Sequence, residues 1–186
     1  IDSIITKNGA PLLLILDQIN DVRNFGAIIR TAVAAYVDGI IIPQINTLDE
    51  AKRAIKNVRY SPMGERGLGL ARAQGYGFNL ENYLKGKARN IELIVQIEHH
   101  KGIKNLHQIL SLEGLDGSFL GPYDLSASIG IPGKFDSKKF KDDLSEVERC
   151  YRSKSFTYSN STTVIPRFAI SVTPGILLPN NSGTIF

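Results

Sequence analysis

The sequence predicts an α/β protein built from parallel-strand βα units. Three observations point there: short apolar runs recur along the chain, stretches of helical spacing separate them, and breaker-rich segments interrupt the pattern. Strands joined through helical crossovers make a parallel sheet, in a barrel or in an open layer.

"PLLLILDQ" (11–18) is a short apolar run closed by polar residues, the mark of a strand. "NFGAIIRTAVAAY" (24–36) is helical in spacing, and "DGIIIPQ" (38–44) returns to strand character. "TLDEAKRAIKNVR" (47–59) opens on a capping threonine with acids in its first turn. It then places Ala51, Ala54, Ile55 and Val58 on one helical face. "YSPMGERGLGLARAQGYGF" (60–78) holds Pro62 and five glycines, so it reads as a long loop of the kind that often carries function. "NIELIVQIE" (90–98), "KNLHQILSL" (104–112) and "DGSFLG" (116–121) repeat strand, helix, strand. The end, residues 151–186, is rich in Ser, Thr and Asn and broken by Pro166, Pro174 and Pro179, which predicts one or two weak strands among loops.

The 186 residues, 42% hydrophobic and 22% charged, suffice for one globular domain with a buried core. The lone Cys150 permits no internal disulfide and no cysteine metal cluster, so the cytoplasm is the default compartment. No apolar stretch approaches the roughly 20 residues that span a bilayer, and "IDSIITKNGA" lacks the basic and apolar regions of a leader. The net charge of +4 is spread among acids without a single-sign stripe, so nucleic-acid binding is not indicated. The chain opens on Ile1 and not on Met, which suggests a missing upstream segment.

Glu98 ends one expected strand and Asp124 follows the next, with one crossover helix between them. In parallel α/β architectures the loops beyond the C-terminal strand ends build the site. Neighbouring strands lie about 5 Å apart, so two carboxylates placed this way can share one hard divalent cation, with room for water or substrate. The alternative is structural: both residues cap helices, or pair with Lys101 and Arg66. Adjacent strand side chains point to opposite faces, so at most one of His99 and His100 can face such a site. His107 falls within the crossover helix.

"IIPQINTLDEAKRAIKNVRYSPMGERGLGLARAQGYGFNLENYL" followed by "IVQIEHHKGIKNLHQILSLEGLDGSFLGPYDLSASIGIPGKFD" resembles the HpcH/HpaI aldolases over about residues 38–148. These are metal-dependent enzymes that cleave 2-oxo acids to pyruvate and an aldehyde. The resemblance implies that Glu98 of "QIE" and Asp124 of "GPYDLS" bind Mg²⁺ or Mn²⁺. It implies that Gln96 contacts substrate or metal-bound water, and that the backbone around Pro122 and Tyr123 binds the pyruvate carboxylate. The family's acid/base histidine and catalytic arginine lie upstream of the matching region and have no counterpart here.

"PLLLILDQINDVRNFGAIIRTAVAA" resembles instead the first motif of the SpoU (TrmH-like) RNA ribose methyltransferases, with Asn24, Gly26 and Arg30 at the motif positions. Without that resemblance, Asn24 is a helix cap, Gly26 a packing residue and Arg30 a solvated one. The later motifs for S-adenosylmethionine are missing. The chain therefore reads as three parts: a SpoU-like opening (1–37), an aldolase-like body (38–150) and an unassigned tail (151–186).

A complete barrel of the implied type takes about 250 residues, so the expected architecture is a partial or rearranged TIM-type (β/α) barrel. Its open strand edges favour a homo-oligomer. The expected activity is a metal-dependent aldolase acting on a small 4-hydroxy-2-oxo acid, weak for want of an acid/base group. The alternative is a SpoU-type RNA 2′-O-methyltransferase fragment.

Overall fold

A computed structural model describes residues 11–19, 22–86, 88, 91–155 and 167–168. Five strands, β1 (Leu13–Ile15), β2 (Gly39–Ile42), β3 (Glu92–Ile97), β4 (Gly117–Leu120) and β5 (Arg167–Phe168), form one sheet in sequential order. Every neighbouring pair is parallel, with Ile15 opposite Ile41, Ile41 opposite Ile94, Gln96 opposite Phe119 and Gly117 opposite Arg167. Among the described residues the sheet is open, with β1 and β5 at its edges, and the expected partial barrel is what these residues form.

Among the described residues six helices accompany the strands: α1 (Val22–Ala34), α2 (Leu48–Val58), α3 (Leu80–Lys85), α4 (His100–Ile109), α5 (Pro122–Ser128) and α6 (Lys138–Ser155). α2 begins as its sequence predicts. Thr47 accepts from the Glu50 N–H, Glu50 reaches back to the Thr47 N–H, and Ala51, Ala54, Ile55 and Val58 are buried. α4 begins four residues earlier than its spacing suggests, because the His99 ring accepts from the Lys101 N–H and caps it. The "GPYDLS" segment, which follows the expected strand at 116–121, is the start of α5, with Pro122 in its first turn where a missing N–H costs nothing. The breaker-rich segment is irregular apart from a 3₁₀ stretch at Arg72–Gly77, where Gly75, Tyr76 and Gly77 take left-handed backbone.

One face of the sheet packs on the helices. Ile40, Leu93, Val95, Ile97 and Leu120 are almost fully buried there, meeting Ile29, Val58, Leu106, Ile109 and Phe140. The other face is a smaller cluster in which Ile41 and Ile94 are buried with Phe119 beside them. Toward its β1 edge that face opens, with Leu13 40% and Ile15 62% exposed. α1 and α2 pack on one another, so residues 22–37 join the same layer as the body. α6 runs unbroken across position 150. Of the tail beyond it, the expected strand lies at β5, while residues 1–10 and most of the tail fall outside the described residues.

Candidate active site

Glu98 follows the last residue of β3 and is 7% exposed. Its Oε1 accepts from the backbone N–H of Gln44 at 2.9 Å, and its Oε2 accepts from the Gln96 side-chain amide at 2.7 Å. Gln44, just beyond β2, holds φ +56. A non-glycine residue in the left-handed region is uncommon and carries strain where the surroundings enforce it. Here that turn aims a donor at the carboxylate. Gln96, the last residue but one of β3, thus braces the Glu98 carboxylate through its side-chain amide.

Asp124 lies in the first turn of α5, directly after β4. β3 and β4 are neighbours, as the two-carboxylate reading requires. Glu98 and Asp124 come within hydrogen-bonding reach of one another. Burial pushes the Glu98 carboxyl above the usual carboxylate range. The Gln44 N–H opposes that rise, and the nearby negative charges of Asp124 and Asp17 add to it.

The two acids approach because Gly121 separates β4 from α5. A Cβ at Gly121 would stand 2.8 Å from the Glu98 Cβ and 3.0 Å from its Oε2. Sequence reasoning named neither Gly121 nor Gln44. The glycine before "PYD" was a visible signal, whereas Gln44 acts through its backbone and leaves no trace in residue type.

Pro122 has no N–H, so it contributes the turn and not a hydrogen bond. The N–H groups of Tyr123 and Asp124 are the ones left without acceptors inside α5. The Tyr123 ring is 57% exposed and meets Phe135 edge-on at 5.0 Å.

The histidines do other work. The strand ends before them, so the alternation expected of "IEHH" does not apply. His99 caps α4, and the Nδ1 of His100 meets both carboxylate oxygens of Asp143 on α6 at 3.0 Å. The structural alternative for Glu98 and Asp124 paired them with Lys101 and Arg66. Among the described residues no ion pair does so, and Arg66 contacts Tyr60 and Tyr83 instead.

Two crowded carboxylates, one buried, with no ion pair to either among the described residues, suit a hard divalent ion, which prefers oxygen donors. No group of three or more His, Cys, Asp or Glu side chains among the described residues could hold a metal by itself. The remaining positions would fall to water, backbone or substrate, which is how catalytic sites keep an open coordination position.

A family model described as HpcH/HpaI aldolase/citrate lyase matches residues 20–164. The chain belongs to this family. Among its relatives, the 2-keto-3-deoxy-L-rhamnonate aldolase of one Escherichia coli strain is 39% identical over 116 residues, which is 61% of this chain and 43% of that protein. The protein of that name from another E. coli strain is 44% identical over 95 residues, 50% of this chain and 35% of the relative. The HpcH/HpaI aldolase of Desulfitobacterium hafniense superposes with a TM-score of 0.64 at 23% identity, covering 78% of this chain and 55% of that one.

This HpcH/HpaI chain thus spans less than half the length of the curated relatives it matches. The family match includes Asn24, Gly26 and Arg30, the residues that carry the SpoU resemblance. The comparisons lend no support to a methyltransferase. No described helix is long and apolar enough to cross a membrane.

Proposed function

We propose that this chain carries the metal-binding, pyruvate-recognising part of a class II aldolase that cleaves a 4-hydroxy-2-oxo acid. The observation that carries the reading is the meeting of Glu98 and Asp124 at the C-terminal ends of adjacent parallel strands, in a chain of an aldolase family. A 2-keto-3-deoxy sugar acid, the substrate class in the relatives' name, is chemically a 4-hydroxy-2-oxo acid.

In this reading Glu98 and Asp124 hold Mg²⁺ or Mn²⁺ through carboxylate oxygens. Gln44 and Gln96 fix the orientation of Glu98, as outer-shell partners of a ligand do. The Tyr123 and Asp124 N–H groups bind the pyruvate carboxylate. When bound, the cation supplies a Lewis acid for the keto oxygen on which charge develops as the carbon–carbon bond breaks.

Proton transfer needs a positioned acid or base. All three histidines belong to α4 or its cap, and His99 and His100 are committed to the Lys101 N–H and to Asp143. The chain alone is therefore a weak aldolase or a metal-binding remnant of one. The open β1 edge, with Leu12, Leu13 and Ile15 exposed, supports self-association. Residues 1–37, 38–150 and 151–186 remain the proposed parts, the first now read as joined to the body through the sheet. Calorimetric Mn²⁺ titration of the parent, Glu98→Ala and Asp124→Ala, with pyruvate release from a 4-hydroxy-2-oxo acid as second readout, tests the reading. A parent that binds no Mn²⁺ would overturn it.

A further inference from the structure

Arg66 is 4% exposed, yet its Nε and Nη1 are buried without a hydrogen-bond partner among the described residues. Its Nη2 donates to the Tyr83 hydroxyl at 3.3 Å, and its guanidinium lies 4.4 Å over the Tyr60 ring. Neither phenol is a counter-charge. Burial pushes the Tyr60 hydroxyl up to about 12, so it is neutral at ordinary pH.

Apart from the two tyrosines, the charge that acts most on Arg66 is another cation, Arg30 of α1. The Arg30 guanidinium rests on the glycine loop so closely that a Cβ at Gly69 would stand 2.4 Å from its Nη1. Among the described residues no ion pair links either arginine to a carboxylate. The chain has no acidic residue between Glu65 and Glu81, and Glu65 is paired with Lys56 at 2.7 Å. A guanidinium cannot relieve its burial by losing a proton, so two such groups within Coulombic reach call for an anion. Beside Arg66 the backbone of Gly67 faces open space, since nothing lies within 4 Å of where a side chain there would begin.

We propose that Arg30, Arg66 and the Gly67–Gly69 loop form a binding site for a small oxyanion, a phosphate or carboxylate group. The site brings together the arginine of the methyltransferase-like motif and the arginine of the "RGLGLARA" loop, neither of which the carboxylate pair uses. It also gives the two glycines a role: Gly69 admits the Arg30 head group, and Gly67 leaves the space beside Arg66 clear.

The test is thermal unfolding of the full chain in EDTA, which keeps divalent cations away from Glu98 and Asp124 and makes the result independent of the metal reading. Sodium phosphate and sodium acetate are titrated separately at ionic strength held constant with NaCl, because screening alone shifts charged proteins. A saturable rise in midpoint is expected with at least one of them. The anion of lower half-saturation identifies a phosphate or a carboxylate occupant. Arg30→Gln should raise the half-saturation concentration roughly tenfold or more, the loss of one charge-assisted contact. Gly69→Ala should do the same by displacing that guanidinium. If neither anion acts beyond ionic strength, or if Arg30→Gln responds like the parent, water serves the buried N–H groups and the proposal falls.

Discussion

The two ends of the sheet bury charge in opposite ways. At the N-terminal end Arg59, 8% exposed, donates through Nε and Nη2 to the Gly114 carbonyl at 3.0 and 2.9 Å, and through Nη1 to the Ile91 carbonyl at 2.9 Å. Its Nη2 also meets Asp116, whose carboxylate accepts from the Leu93 N–H at 2.7 Å. Opposite charges and bonds from all three guanidinium nitrogens close that end. At the C-terminal end Glu98 and Asp124 face each other with like charge, and a strained Gln44 supplies one of the few donors. One end is arranged for stability, and the other accepts a cost that the proposed cation would remove. This is the division of labour that βα architectures show between their two faces.

The largest effect should come from the satisfied end. Arg59→Ala should destabilise the chain by about 3 kcal/mol, the lower part of the range for breaking a buried pair because Asp116 keeps some solvent. Urea unfolding measures it, and a loss under about 1 kcal/mol would mean that the N-terminal end is not what holds the sheet.

Glu98→Ala and Asp124→Ala should each weaken Mn²⁺ binding by at least about 100-fold, at or beyond the upper end of what outer-shell partners of a ligand cost, while the Arg59 variant leaves the affinity of its folded fraction unchanged. Equal Mn²⁺ affinity in Glu98→Ala and the parent would make the carboxylates structural.

Gly121→Ala should cost about 1–3 kcal/mol through overpacking, since its methyl would meet backbone-anchored Glu98 Cβ. It should also weaken Mn²⁺ binding by pushing the two acids apart. A variant as stable as the parent, with undiminished Mn²⁺ affinity, would show that the close approach is dispensable.

Glu98→Gln sharpens the contrast through pH. The native Glu98 holds its proton more tightly than the unfolded chain does. Its contribution to stability is therefore full below the ordinary value of 4.5 and is lost as pH rises through the raised native value. In EDTA, Glu98→Gln should gain on the parent as pH climbs from 4.5 toward neutrality. A gap between the two midpoints that stays constant with pH would contradict the like-charge description of that end.

His99→Ala should be the mildest change. Losing the cap costs up to about 1 kcal/mol, and Mn²⁺ affinity should stay within about twofold, because the His99 ring serves the Lys101 N–H. A tenfold loss of affinity would place His99 at the site.

Local signals carried much of this. The capping box at Thr47 and the spacing of Ala51, Ala54, Ile55 and Val58 place α2 to within a residue, because capping and burial both follow from neighbours along the chain. The strand positions were legible from apolar runs, and the adjacency of β3 and β4 followed from a single crossover between them. The start of α4 was not legible: a histidine rarely signals a cap, and only the ring geometry of His99 makes it one. Nor was α5, whose "GPYDLS" opening looks like a turn until the chain continues helically beyond Pro122.

The residue types of the sequence pointed on their own to a parallel α/β chain with two carboxylates at neighbouring strand ends, since periodicity and spacing are properties of the chain itself, and its motifs carried the resemblance to the aldolase family that the family match bears out. Only the tertiary structure decided what surrounds the two carboxylates. The Gln44 N–H reaches Glu98 across 54 positions, and Gly121 sets the distance between the acids. Arg30 and Arg66 come within Coulombic reach although 36 positions separate them. Such contacts depend on how helices and loops stack on the sheet, and pairwise distance between remote residues is not written in any local pattern.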